Sequence, residues 1–170
     1  MGYVKLKDIC QFISPAEMMK TAGTWTPTLA LHLPYEAKTA AADSFYLMIP
    51  VKLPASNVGT QCAKLKSVDI WYKIATAAFT DIPQVAVKKQ TLSANGSAVA
   101  GADYTAFSLD AAHDTGAERK TVASHKMTVT FTEEPYLEDD EVYWIIITCE
   151  AALTSAFSLF GAQVNFELKL

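Results

Sequence analysis

The stretch LDAAHDTGAERK, residues 109–120, gathers Asp110, His113, Asp114, Glu118 and Arg119 within a few positions. An imidazole among carboxylates is what a hydrolytic base or a metal-binding loop would draw on. The same composition belongs to a solvated connection between strands, and that is the preferred reading. A second stretch, EEPYLEDDE (133–141), holds six of the 18 acidic residues. Calcium would want such oxygen ligands. No glycine supplies the sharp turn of a dedicated loop, however, and Pro135 breaks the run. It reads as an acidic turn guarding the hydrophobic strand that follows, with an acidic docking patch as the alternative. No nucleophile elbow, phosphate loop, zinc-protease or EF-hand pattern occurs. His32, His113 and His125 lack ligand spacing. No catalytic residue, cofactor or metal is therefore assigned.

The aromatic residues offer a different chemistry. Trp25, Trp71 and Trp144, with Tyr72 and Tyr143, could build a sugar-stacking platform. Trp25 and Trp144 fall in alternating or fully apolar runs, which favours the core. Trp71 lies opposite Ile70, Tyr72 and Ile74, and is the aromatic expected as an exposed contact. Core or subunit interface is preferred to carbohydrate for the group as a whole.

The elements that must carry these residues are strands. One helix signal stands near the start: in SPAEMMKTAG, Ser14 can cap, Pro15 suits the first helical position and Glu17 completes a capping box. This predicts one or two turns over residues 15–22. Beyond it, period-two alternation dominates. In TWTPTLALHL, Trp25, Pro27, Leu29, Leu31 and Leu33 share a face; in SFYLMIPVKL, Phe45, Leu47, Ile49, Val51 and Leu53 do. Further strands are predicted at 64–75, 82–92, 104–109, 126–132, 141–150 and 157–170, with Met127, Val129 and Phe131 inward and a bulge or kink at Gly161. Pro27 and Pro50 suggest edge positions or bulges. Asn95-Gly96 marks a tight turn. About eight strands without crossover helices predict an all-β antiparallel β-sandwich, read as a jelly roll. Two joins, IATAAFTDI (74–82) and ITCEAALTSAF (147–157), nearly repeat each other. Each is expected to be a corner at a sandwich end, with Phe79 or Leu153 plugging the core.

The chain has 170 residues, 51% hydrophobic and 19% charged, with a net charge of −4. Such a length supports one core; the expected division is an arm and short helix over 1–22 and a sandwich domain over 23–170. Low charge suggests apolar surface covered by a partner. The 14 Lys and Arg are scattered, so nucleic-acid binding is not expected. No run is long enough to span a membrane and the start lacks a signal-peptide core. Cys10, Cys62 and Cys149 are odd in number and widely spaced, consistent with free thiols in a reducing cytoplasm. The opening GYVKLKDICQFI has two equal readings: an extra edge strand, or an arm adding to a neighbouring subunit through Tyr3, Val4, Leu6 and Ile9. EVYWIIITCE is apolar on both faces, so its second face is expected to meet another subunit. Trp71, Tyr143, Ile145 and Ile147 are the expected interface residues.

Three segments, GTWTPTLAL, VDIWYKIATAAFT and YWIIITCEAALTSAFSLFGAQVNFEL, give the chain from 23 to 169 a layout that resembles small jelly-roll structural proteins of tailed bacteriophages, of the decoration or head-fibre kind. The resemblance implies a non-enzymatic virion protein made in the host cytoplasm. It would form a homotrimer and dock on a major capsid or tail protein through its N-terminal arm. It carries over no catalytic residues, and PAEMMK departs from its pattern. The alternative function is a receptor- or carbohydrate-binding β-sandwich module using Trp71 and the loop tips at 93–103 and 110–120.

Overall fold

The computed structural model describes residues 6–30, 33–51, 63–91, 93, 101–137 and 140–169. Among these residues, two antiparallel sheets pack face to face. The strands are β1 (Leu6–Ile13), β2 (Met19–Lys20), β3 (Trp25–Ala30), β4 (Leu33–Lys38), β5 (Ser44–Val51), β6 (Ala63–Ala75), β7 (Asp81–Thr91), β8 (Ala102–Tyr104), β9 (Phe107–Leu109), β10 (Ser124–Phe131), β11 (Glu141–Glu150) and β12 (Ala156–Lys169). One sheet runs β3-β4-β12-β6-β10-β9, with β1 also on β12; the other runs β2-β5-β11-β7-β8. The architecture is the all-β antiparallel sandwich that the alternation predicts, with twelve strands instead of about eight.

Of the four additional strands, β1 and β2 come from the N-terminal segment, β4 runs on past the first predicted strand, and β9 arises where a predicted element divides. TWTPTLALHL does not continue as one strand: β3 turns back into β4, with Ala30 opposite Leu33. YTAFSL breaks at Thr105-Ala106, so β8 joins β7 in one sheet and β9 joins β10 in the other. The expected helix shrinks to a single 3-10 turn, Pro15–Glu17, although its capping box forms through Ser14 and Glu17. Met18 is buried and Met19 pairs with Met48, so strand pairing outweighs helix propagation beyond one turn.

The core follows the alternation. Phe45, Leu47, Ile49 and Val51 from β5 meet Tyr143, Ile145, Ile147 and Cys149 from β11 on one side. Leu65, Val68, Ile70, Tyr72 and Ile74 of β6 face them with Met127, Val129 and Phe131 of β10. Tyr143, Ile145 and Ile147, expected at a subunit interface, are therefore interior residues. The outward residues of β11 are Val142, Trp144, Ile146 and Thr148, all half-buried. Trp144, expected in the core, lies on that outer face opposite Pro50 and Lys88.

The two Ala-Ala joins meet. Ser155 is fully buried and its hydroxyl donates to the Ala78 carbonyl at 2.7 Å. Phe79 plugs the end, 5.3 Å from Phe157 between ring centroids. Leu153 does not: it is 71% exposed. Phe157 supplies the second plug from within β12.

β12 pairs with β6 along its length, but its other edge changes partner. Residues 157–159 pair with β4 and residues 162–169 with β1. The change occurs at a bulge between Leu159 and Gly161, where Gly161 has φ +133°. A Cβ there would lie 2.5 Å from Phe12 Cζ and 2.8 Å from the Ile13 carbonyl. Gly161→Ala is expected to destabilise the protein by about 2–4 kcal/mol in urea unfolding, and trimming Phe12 as well restores only part of it because the Ile13 contact is backbone.

Cys149 is buried, and burial pushes its thiol up to about 12, opposed in part by the Lys38 charge. Cys10 is exposed. Brief iodoacetamide treatment near pH 8, followed by peptide mass spectrometry, should alkylate Cys10 and leave Cys149 unmodified until denaturant is added.

Candidate functional site

The outer face of the seven-stranded sheet carries a connected set of polar and aromatic side chains; Trp71, expected as an exposed contact, is half-buried there, as are Gln163 and Asn165, while Lys126 is exposed. Alternation along β6 sends Ile70, Tyr72 and Ile74 inward and Ser67, Asp69, Trp71 and Lys73 outward. In register, Trp71 lies between Gly161 of β12 and Lys126 of β10. One step along, Asp69 lies between Gln163 and Thr128; the next row places Ser67 between Asn165 and Thr130. Across β12, Phe12 and Cys10 of β1 continue these rows opposite Gln163 and Asn165.

These side chains are bonded to one another. Thr128 Oγ1 donates to Asp69 Oδ1 at 2.7 Å, and Lys126 Nζ lies 3.1 Å from Asp69 Oδ2. Asn165 Nδ2 donates to Ser67 Oγ at 3.0 Å and reaches Asp69 Oδ2 at 3.5 Å. Gln163 Nε2 donates to Asn165 Oδ1 at 2.9 Å. Lys126 Nζ also sits 5.6 Å from the Trp71 ring centroid, a cation–π distance. Asp69 is only 8% exposed, so its charge is compensated by Lys126 and by hydroxyl and amide donors rather than by bulk water. Phe12 stands 59% exposed above Gly161, on the other flank of that residue from Trp71.

Beside this strip lies a depression of about 300 Å³ lined by Asp8, Ile9, Cys10, Lys66, Asn165 and Phe166. Asn165 belongs to both. The Glu134 carboxylate, 2.5 Å from Lys66 Nζ, raises the ammonium's pKa, with Glu167 at 3.4 Å adding to it. Lys66 in turn holds the Glu134 carboxyl below its usual range. The arrangement offers an indole face, a carboxylate, two amides and two ammonium groups along one sheet surface. Such a set can stack on an apolar ring face while exchanging hydrogen bonds with surrounding hydroxyls. A second concavity, about 320 Å³ between the 3-10 turn and the β3–β4 hairpin, is lined by Phe12, Pro27, Leu29, Pro34 and Tyr35. Its carboxylate, Glu36, is already paired with Lys20.

The other expected sites fare differently. Leu6 and Ile9 lie in β1, paired with Lys169 and Phe166 of the same chain; Tyr3 and Val4 lie outside the described residues. In the acidic stretch, Glu134 pairs with Lys64 and Lys66, and Glu141 with Lys89; residues 138 and 139 lie outside the described residues. No cluster of three or more candidate metal ligands occurs among the described residues.

The 110–120 loop turns His113 and Arg119 inward and leaves Asp114 exposed. Arg119, 4% exposed, donates to the carbonyls of Ile82, Pro83, His113 and Asp114. Asp110 accepts from the Thr128 N–H at 2.7 Å, the Ala112 N–H at 3.1 Å and His113 Nδ1 at 2.7 Å. Burial would raise the Asp110 carboxyl, but these hydrogen bonds and the His113 charge outweigh it and hold the group below its ordinary value. His113 Nε2 stands 3.1 Å from His125 Nδ1. Sequence spacing had no means of pairing these two histidines, since a loop and a strand bring them together.

No protein-family model matches the chain, and no curated protein matches it. Among solved structures, it is similar to the carbohydrate-binding module TmCBM61 in complex with beta-1,4-galactotriose: 11% identity, 92% of this chain and 91% of that chain covered, TM-score 0.40. It is also similar to the family 11 carbohydrate-binding module from Clostridium thermocellum, at 8% identity, 96% and 89% coverage and TM-score 0.39. The carbohydrate esterase vb_24B_21 of Shiga toxin-encoding bacteriophage phi24B is similar at 12% identity, 90% coverage of each chain and TM-score 0.36. Neighbours thus include carbohydrate-binding sandwiches and a phage protein, but no family match supports the resemblance to decoration proteins, and the likeness is one of β-sandwich architecture alone.

Proposed function

We propose that the protein is a non-catalytic recognition module that binds carbohydrate on the outer face of its seven-stranded sheet. The observation that carries this reading is Trp71 set beside the bonded Lys126–Asp69–Asn165–Gln163 array. An indole presents a flat apolar surface to the C–H face of a pyranose, and the array offers donors and acceptors at its rim. Lys126, with a side chain 53% exposed, supplies the accessible cation. The reading also explains why the polar residues of this face form a connected set instead of being individually solvated. Screening on a glycan array, followed by calorimetry on the best sugar, should show binding. Trp71→Ala should weaken it by roughly tenfold or more, about 1.4 kcal/mol, with circular dichroism unchanged. Full affinity in the Trp71 variant, or no glycan bound by the wild type, would rule the reading out.

A second reading rests on the opposite face. Across β2, β5, β11 and β7, Met19, Met48, Ile146 and Ala86 form one outward row, flanked by Pro50, Trp144 and Tyr46. Met19 and Tyr46 are 54% and 50% exposed. An apolar row of this kind suits self-association. A homo-oligomeric virion subunit, trimeric and seated on a capsid or tail lattice, belongs to this reading. It can coexist with sugar binding because the faces are distinct. Ile146→Lys should give smaller particles by light scattering with β circular dichroism retained. An unchanged particle size would remove the outer face of β11 as an interface.

A further inference from the structure

The chain of contacts Asp110–His113–His125–Thr121 has an acceptor at each end. Asp110 Oδ1 faces His113 Nδ1 at 2.7 Å, His113 Nε2 faces His125 Nδ1 at 3.1 Å, and His125 Nε2 faces the Thr121 carbonyl at 3.0 Å. A carboxylate and a carbonyl cannot donate, so both outer contacts need a proton on the imidazole side. The central contact needs one more. Three hydrogen bonds therefore require three ring protons, whereas two neutral imidazoles bring only two. With two, one contact sets lone pair against lone pair; with four, the central contact sets N–H against N–H.

We infer that His113 and His125 form a shared-proton pair holding one proton beyond two neutral imidazoles, and that this proton latches the 110–123 segment onto the end of the sandwich. Both rings are buried, at 7% and 8% exposure, so an unmade contact is not repaired by water. The extra charge is best placed on His113, next to the Asp110 carboxylate. His125 then stays neutral, accepting at Nδ1 and donating at Nε2. Burial indeed pushes His125 toward its neutral form, with the His113 charge adding to that and the Thr121 carbonyl opposing it. From β6, Tyr72 stacks on His125 at 4.6 Å and donates its hydroxyl to the Arg119 carbonyl at 2.9 Å. Arg119, Asp114 and Glu118 are the other charged groups around the pair, and Cys149 of β11 lies beyond Tyr72. Arg119 ties the same segment to β7 through Ile82, so the latch and the guanidinium hold it together.

The consequence is a stability optimum. Two unfolded histidines together carry about one proton near pH 6.5, their ordinary value. Above it the folded pair holds more protons than the unfolded chain, so stability falls as pH rises. Below it the unfolded chain holds more, so stability falls as pH drops. Carboxylates such as Asp110 add to the acid limb, which makes the alkaline limb the diagnostic one.

Long-range proton–nitrogen NMR of the intact protein counts the ring protons directly. At about pH 6.5 the expected spectrum shows three protonated ring nitrogens on His113 and His125 together, with His125 Nδ1 bare. Two or four ring protons at that pH would overturn the inference. His113→Gln adds a second reading of the same idea: if it folds, the loss of stability from about pH 6.5 to about pH 8 should disappear. A persistent alkaline limb in that variant counts against the latch.

Discussion

The change of partner along β12 sets the shape of the molecule. This fourteen-residue strand pairs with β6 on one edge and with β4 and then β1 on the other, and the change of partner coincides with a bulge. Phe160 and Gly161 form it: the bulge shifts register by one residue, and the positive φ at Gly161 is open to glycine at low cost. The missing side chain matters as much as the dihedral. It leaves room for Phe12 to lie over the strand and for the Ile13 carbonyl to approach. Ile13 can then bury inside while Phe12 stays on the outer face. The same glycine faces Trp71, so no side chain of β12 stands between the two aromatic residues. One backbone irregularity thus fixes the docking of the N-terminal strand and places a residue without a side chain beside Trp71.

Much of this was readable in the alternation. Met127, Val129 and Phe131 face inward, and β11 and β12 fall close to their expected bounds, because period-two patterning directly encodes which side of a pleat is dry. Gly161 at a bulge and Trp71 opposite Ile70, Tyr72 and Ile74 follow from the same logic. The misreadings share a cause. TWTPTLALHL keeps its alternation past the end of β3 at Ala30, so the stretch looks like one strand although Leu33 already pairs back on Ala30. EVYWIIITCE is apolar on both faces, and no local signal says which set is interior. Sheet packing decides it, in favour of Tyr143, Ile145 and Ile147. Leu153 and Phe79 occupy equivalent places in two similar joins, yet only Phe79 is buried, since Phe157 already fills the space the other would take.

Polar clusters were the least legible part. The residues of the 110–120 loop have the types that catalysis uses, but their partners are set by long-range contacts: Asp110 by the Thr128 N–H, Arg119 by the Ile82 carbonyl, His113 by His125. An Arg that meets only carbonyls is a bracket for the chain, and a carboxylate receiving two backbone N–H groups is a turn anchor. Neither leaves a free base over an open cleft. The array on the seven-stranded sheet was equally hidden, since Asp69, Lys126, Asn165 and Gln163 come from three strands.

The two outer faces differ in a way that bears on recognition. On the five-stranded sheet the central outward residues are large and apolar, so that face gains by being covered and sets few directional demands on what covers it. On the seven-stranded sheet the outward residues are held by one another. Asn165 is fixed by Ser67 and Gln163, and Asp69 by Thr128 and Lys126. Side chains already ordered lose less conformational entropy when a ligand arrives than freely rotating ones would, by about 0.5–1.5 kcal/mol for each rotamer-rich group. A hydroxylated ligand gives little apolar area to offset such losses. Preordered donors and acceptors beside an aromatic plane are therefore what a surface needs to hold one, and the bonded array supplies them before any ligand binds.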